Sequence, residues 1–492
     1  MRGVLRNDRL QNMKYISTRG GSEPREFKEI LLEGLAPDGG LYVPETYPKF
    51  SDAELNSLRG KGYHDVALNI LRTFITDIPE EDLKKIISRT YTKEVFGTPE
   101  ITPIKRLEDG LALLQLSNGP TLAFKDVPLQ LLGNLMEYVL AEKARGLNIL
   151  GATSGDTGSA AAYALKGRKG IRLFMLSPQG RMSRFQQRQM YTLNEPNFFN
   201  IVVNGTFDDC QAIVKEANAD ADFKKKYKLG AVNSINWGRI SAQIVYYFYS
   251  YLQVTKNNSE RVAYAVPSGN FGNALSAHIA KTMGLNIEII VCTNENDVLD
   301  EFFRTGVYRI RKGSDVKVTS SPSMDIASAS NFERFVFDYV GLDSAKVRAL
   351  WAELNGKREF NIGTFEPGVA FGITSGSATD ADVLDTIRAV HKKYGIVIDP
   401  HTAVAMKVGL EKREEGVPLV VVETAQPGKF ADTIREAIGF EAPVPKGYEQ
   451  LENLPEHTTR MENDVALVKE FIAQNTQGLT NNQVEGVIKG SP

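Results

Sequence analysis

Four short stretches of the chain carry residues whose types and spacing can do chemistry. The first is LAFKDVPLQLLGN, in which Lys125 follows an apolar run and precedes a helical pattern. Asp126 is the expected N-cap of that helix and Pro128 suits its first turn. A lysine partly desolvated by such surroundings keeps a neutral, nucleophilic amine able to form an imine. Taken alone it also reads as a solvated surface group. The second is PSGNFGN at 267–273, where Gly269 and Gly272 relieve a tight loop that opens straight onto a helical run. Backbone amides and the helix dipole there make a phosphate cradle, although an ordinary strand–helix turn looks the same. It is not the dinucleotide pattern G-x-G-x-x-G.

The third stretch is TSGDTGSAAA at 153–162, a second loop at a helix start. Ser154 and Thr157 offer hydroxyls, and the amides offer donors to a carboxylate; Asp156 could be no more than a cap. The fourth, VNSINWGRI at 232–240, sets Asn233, Ser234 and Asn236 beside Arg239. Amide and hydroxyl donors with one guanidinium suit a phosphate dianion. The plainer reading is a polar loop whose arginine pairs with a surface carboxylate.

Other chemistries lack their residues. His64, His278, His391, His401 and His457 show no metal-ligand spacing and read as structural, and no metal is expected. No G-x-S-x-G elbow or Walker A loop occurs. The two cysteines, Cys210 and Cys292, are far apart and read as free buried thiols, which suits a reducing compartment. A net charge of -2 gives no electrostatic footprint for nucleic acid or an anionic membrane. No apolar run approaches the ~20 residues that cross a bilayer. The stretch MRGVLRNDRLQN is basic without an apolar region, so it reads as an upstream extension, with a short organelle-targeting piece as the alternative, and not as a secretory signal. Cytoplasm is the default location.

The elements that must position these residues repeat one unit. NILGA, AYAV and PLVVVET are apolar runs, each followed by a Gly-containing loop and a helical pattern. Strands alternating with helices predict a parallel sheet covered on both faces. Ligands bind at the carboxyl ends of such strands, so the loops and Lys125 are expected to converge there. At 492 residues the chain should split into two or three domains. EFKEILLEGL, DVALNILRTFI and EEDLKKIISRTY predict helices of a separate N-terminal domain, and residues 300–390 read as an insertion or cap.

Together these motifs, with YISTRGG and GLAPDGGLYVPE ahead of them, resemble threonine synthases, in particular the long bacterial and fungal form, from about Tyr15 to about Gly439. The resemblance implies the tryptophan-synthase-β-like fold, type II among pyridoxal-phosphate (PLP) enzymes: an α/β protein of parallel or mixed sheets with helices on both faces. The division expected is 13–98, N-terminal; 99–145 with 235–445, large and cofactor-binding; 146–234, small and mobile; and 446–492, C-terminal. The resemblance makes Lys125 the Schiff-base lysine. Gly269, Asn270, Phe271, Gly272 and Asn273 hold the cofactor phosphate, Thr424 faces the pyridine nitrogen, and Asp156 lies near the 3′-oxygen. Ser154, Gly155, Asp156 and Thr157 grip the substrate carboxylate. Asn233, Ser234 and Arg239, with Thr157, anchor the substrate phosphate, with further donors expected from residues 320–380.

The implied reaction is γ-elimination of phosphate from O-phosphohomoserine followed by β-addition of water, by a monomer or homodimer. A sister lyase yielding a 2-keto acid and a non-catalytic homologue are the rivals. Two positions depart from the shorter plant and archaeal forms, which commonly carry Asn at position 156 and in some cases a basic residue at Val127.

Overall fold

The structure, a computed structural model, describes residues 12–143, 145–180, 182–230, 232–363, 366–445 and 447–476. Most of the expected upstream extension (1–11) and the end of the C-terminal segment (477–492) lie outside the described residues. The chain forms two compact units, one of Met1–Ile30, Leu35–Pro128 and Ser234–Pro443, the other of Leu31–Gly34, Leu129–Asn233 and Val444–Pro492.

The larger unit is built on a six-stranded sheet. Its order is Ile373–Ser377, Ile287–Thr293, Val262–Pro267, Leu419–Glu423, Leu111–Gln115 and Ile104–Glu108. All neighbours are parallel except the last pair, so the sheet is mixed. Val262–Pro267 and Leu419–Glu423 are buried at every position, because central parallel strands face helices on both sides. That is why the sequence shows unbroken apolar runs there and no alternation. Helix Pro400–Lys412 fills one face with Val404, Met406 and Val408, which pack with Val421, Ala265 and Ile290.

The N-terminal helices form as expected, at Phe27–Glu33, Tyr63–Leu71 and Glu80–Thr90. Tyr63–Leu71 packs against helix Trp237–Val254, where the Tyr63 and Tyr249 rings lie 5.1 Å apart, and Tyr15 meets Trp237 at 5.8 Å. Residues 300–390, read as an insertion or cap, also contribute to the main sheet. They supply the edge strand Ile373–Ser377, which the serine- and glycine-containing ITSGS did not advertise as a strand.

The smaller unit has its own parallel sheet, ordered Thr459–Glu462, Phe198–Asn204, Ile171–Pro178, Leu147–Ala152 and Leu229–Gly230. Leu150, Phe174, Leu176, Ile201 and Val203 form its core, with Val468 and Ile472 of the C-terminal helix Val465–Thr476. Cys210 lies in this core, and burial pushes its thiol up to about 12; Cys292 is buried in the larger sheet and is pushed up as well. Among the described residues no helix is long and apolar enough to cross a membrane.

Candidate active site

In the larger unit, Lys125 stands in a loop sewn to the end of the central strand Leu419–Glu423. Leu116 N donates to Glu423 O at 3.2 Å, Phe124 N to Thr424 O at 2.8 Å, and Gln426 N to Leu122 O at 3.0 Å. Lys125 and Thr424 are 299 residues apart in sequence, yet this backbone zipper makes them neighbours. The half-buried Lys125 donates from Nζ to Ser323 Oγ at 3.3 Å. Thr424 is buried, and its hydroxyl makes no hydrogen bond to the described residues.

Helix Asp126–Glu142 starts where expected, but Asp126 does not cap it. Its buried carboxyl turns back to accept from Thr121 N at 2.8 Å and Thr121 Oγ1 at 2.7 Å, while Lys429 Nζ donates to Thr121 O at 2.8 Å. Burial raises the carboxyl to about 6. The side chain braces the Lys125 loop from beneath, in place of tying the helix end.

The 267–273 stretch is a turn between strand Val262–Pro267 and helix Gly272–Thr282. Phe271 takes a left-handed conformation, φ 64°, which is uncommon for a bulky residue. The rings of Phe332 at 5.5 Å and Phe335 at 5.8 Å clamp it there. No side chain caps the helix that follows, so its first amides keep their capacity for an anion. Gly269 allows a close approach: a Cβ there would lie 2.6 Å from Ser323 O. Asn270 O accepts from Asn331 N at 3.1 Å and Asn331 Nδ2 at 3.2 Å.

Asn273 is oriented by two tyrosines. The hydroxyls of Tyr246 and Tyr247 both donate to its Oδ1 at 2.6 Å, which leaves Nδ2, a buried donor, without a partner among the described residues. Ser268 Oγ is buried and has no partner among them either. Buried polar groups cost free energy unless bonded, so unsatisfied donors beside an uncapped helix start mark a place for an anion.

Arg239 lies on helix Trp237–Val254, which packs along Gly272–Thr282; Ser276 Oγ donates to Ile240 O at 3.2 Å. The arginine is 3 % exposed, its Nε and Nη1 have no partner, and it makes no ion pair with the described residues. Desolvation lowers the guanidinium to about 10. A surface pairing, the plain reading of this arginine, is therefore excluded. Ser234 Oγ shares a hydrogen bond with Ser330 Oγ at 2.7 Å, and Ser234 O accepts from Asn331 Nδ2 at 3.1 Å. Asn236 caps the Arg239 helix by accepting from Gly238 N at 2.9 Å.

The smaller unit holds the remaining predicted residues. Between strand Leu147–Ala152 and helix Asp156–Leu165, Thr153 Oγ1 accepts from Gly155 N at 3.0 Å and Gly158 N at 2.8 Å. Gly155 has φ 144°, and a Cβ there would strike the Gln186 amide at 2.6 Å. Gln186 Nε2 donates to the buried Asp156 Oδ1 at 2.8 Å. Ser154 is exposed, Thr157 is half-buried, and Asn233 carries a buried Oδ1 with no partner among the described residues.

Sequence reasoning missed Ser323, Asn331, His401 and Gln186. The Ser183–Gln186 capping box was the available signal for the last. Asp399 before Pro400 signals a helix cap, which the structure has, but gives no hint that His401 reaches Ser323.

Family models cover most of the chain. "Threonine synthase N terminus" matches residues 14–91, "Pyridoxal-phosphate dependent enzyme" residues 95–357, and "Threonine synthase, C-terminal" residues 402–472. A threonine synthase of Methylobacillus glycogenes is 55% identical over 474 residues, covering 94% of this chain and 100% of the relative. One from Corynebacterium glutamicum is 50% identical over 94% of this chain and 98% of its own. The crystal structure of PLP-bound threonine synthase from Brucella melitensis superposes with a TM-score of 0.91 at 40% identity, covering 95% of this chain and 100% of that one. The yeast enzyme gives 0.88 at 37% identity, covering 94% and 99%. The lysine, the anion-ready helix start and these matches along nearly the whole length agree: the chain belongs to the threonine synthase family of pyridoxal-phosphate-dependent enzymes.

Proposed function

We propose that the protein converts O-phosphohomoserine and water to L-threonine and inorganic phosphate, with Lys125 as the lysine that holds PLP. The observation that carries this reading is Arg239, a buried cation without a counter-ion among the described residues, on a helix packed against an anion-ready helix start. A PLP enzyme whose substrate bears its own phosphate needs two anion sites, and the larger unit offers donors for both.

The residues fit the cofactor. The Gly272 helix start, Gly269, Asn270, Phe271 and Asn273 Nδ2 would hold the phosphate, Lys125 the aldehyde carbon, and the Thr424 hydroxyl the pyridine nitrogen. When bound, PLP supplies the electron sink that stabilises negative charge at the substrate's reacting carbons. The Lys125 amine, once released, takes the proton from Cα and then one from Cβ. Phosphate departs from Cγ with the electron pair of its C–O bond, steadied by Arg239 and Ser234. Water adds at Cβ, and protons return to Cα and Cγ. Ser154, Gly155, Asp156 and Thr157 at the helix start of the smaller unit receive the substrate carboxylate. Two buried free thiols support a reducing compartment such as the cytoplasm, and a charge of -2 supports action on a small molecule and not on nucleic acid.

The test is incubation of the purified holoenzyme with O-phosphohomoserine, following threonine, phosphate and 2-keto acid together. Equal release of threonine and phosphate is expected. A 2-keto acid in place of threonine would make the protein a sister lyase, and no turnover would make it a non-catalytic homologue.

A further inference from the structure

We propose that Asp399, His401 and Ser323 form a positioning relay that holds the Lys125 amine in place, an inference that rests on the role given to Lys125 above. All four belong to the larger unit. Asp399 is fully buried and caps helix Pro400–Lys412. Its Oδ1 faces His401 Nδ1 at 2.8 Å and accepts from His401 N at 2.9 Å. The other ring nitrogen, Nε2, lies 3.2 Å from Ser323 N. A backbone N–H can only donate, so Nε2 accepts, and the ring proton sits on Nδ1, directed at Asp399. The carboxylate thus sets both the tautomer and the tilt of the imidazole. Through that ring it fixes the turn Pro322–Met324, whose Ser323 hydroxyl accepts from Lys125 Nζ at 3.3 Å.

The same turn is pinned from two other sides. Asp325, next along the chain, accepts from Thr319 N at 3.0 Å, Asn294 Nδ2 at 2.8 Å and Asn296 Nδ2 at 3.1 Å. Ser323 O lies so close to Gly269 that any side chain there would displace it. One short turn therefore ties the amine to the phosphate-binding loop. Asp399 has a second arm as well. Its Oδ2 accepts from Thr402 N at 3.3 Å and from the Thr402 hydroxyl, which in turn accepts from Thr424 N at 3.4 Å. A single buried carboxylate thereby sets the register of both Lys125 and Thr424. A partly buried hydroxyl aimed at a catalytic amine is what a freed amine needs to stay oriented between proton transfers.

The test uses the holoenzyme and the variants Ser323→Ala, Ser323→Thr, His401→Ala, His401→Gln and the double alanine variant. Borohydride reduction and peptide mapping come first. Label on another lysine would overturn the role of Lys125 and the relay with it. With the label on Lys125, Ser323→Ala should lower kcat roughly tenfold, the order of one hydrogen bond to a charged amine, with KM little changed. Threonine, which keeps the hydroxyl, should restore most of the loss. His401→Ala should reproduce the defect, His401→Gln should soften it by returning an acceptor to Ser323 N, and the double variant should be no worse than either single one. Wild-type kcat in Ser323→Ala, or additive losses in the double variant, would overturn the relay. A readout independent of turnover is the 15N tautomer signature of His401, assigned by its loss in His401→Gln. A proton on Nε2 would overturn the proposal even if the alanine variants failed to fold.

Discussion

Replacing Arg239 by methionine separates what the fold tolerates from what the substrate requires. The guanidinium is buried, with Nε and Nη1 unsatisfied, and its pKa falls from the ordinary arginine value to about 10. At about 1.4 kcal/mol per pKa unit, that depression is a penalty on the order of 3 kcal/mol on the charged form in the folded state. The sign follows: the folded pKa of a base is lowered, so the penalty is present at every pH below about 10 and disappears only above the unfolded value. Arg239→Met, of similar length and uncharged, should leave the ligand-free protein as stable as the parent or more so, as removal of buried charge often does. Catalysis should move the other way. Two hydrogen bonds to a charged partner are worth about 1.5–3 kcal/mol each, so kcat/KM for O-phosphohomoserine should fall about a hundredfold or more. Cofactor occupancy and the visible absorbance should survive. Inorganic phosphate should raise the melting temperature of the parent holoenzyme but not that of the variant. Arg239→Lys should recover part of the loss, having the charge without the planar fork. Loss of cofactor with unchanged kcat/KM per occupied site would instead assign Arg239 to the cofactor phosphate. A less stable ligand-free variant would refute the reasoning about uncompensated charge.

Other outcomes follow from the same geometry. Lys125→Ala should abolish both turnover and the visible absorbance of lysine-bound cofactor; retention of the native spectrum would move the attachment to another lysine. Thr424→Asp should shift the cofactor spectrum and impair threonine formation with the fold intact, because a carboxylate favours a protonated pyridine nitrogen where a hydroxyl donates to a neutral one. Unchanged spectrum and activity would remove Thr424 from the ring. Glu423, buried and held by Ser117 and Gln115, is raised to about 7 by desolvation. The unfolded chain therefore loses this proton first, and stability should decline by about 3 kcal/mol as pH climbs from the ordinary carboxylate range to about 7, then level off. Glu423→Gln should flatten that slope in urea titrations across this range, and an unaltered slope would place the titration elsewhere.

The amino-acid sequence determined the local parts of this protein. The runs at 148–152, 263–266 and 418–424 are apolar without alternation because they become central parallel strands, and the loops after them open onto helices, as glycines and capping residues require. The order of motifs carried the family and, with it, Lys125 and the 267–273 loop. Tertiary structure decided which distant residues meet. Leu419–Glu423 enters the sheet between strands at 262–267 and 111–115, and that placement brings Thr424 beside the Lys125 loop and carries the helix bearing Asp399 and His401 to Ser323. It also turned Asp126 away from its helix, and it drew an edge strand from 373–377, where the residue types signal none. The physical reason is that periodicity and capping report interactions within a turn or two, whereas sheet order is set by burial summed over the whole chain. Loop closure costs only weakly more as loops lengthen, so a separation of 299 residues is no barrier to contact and leaves no local trace.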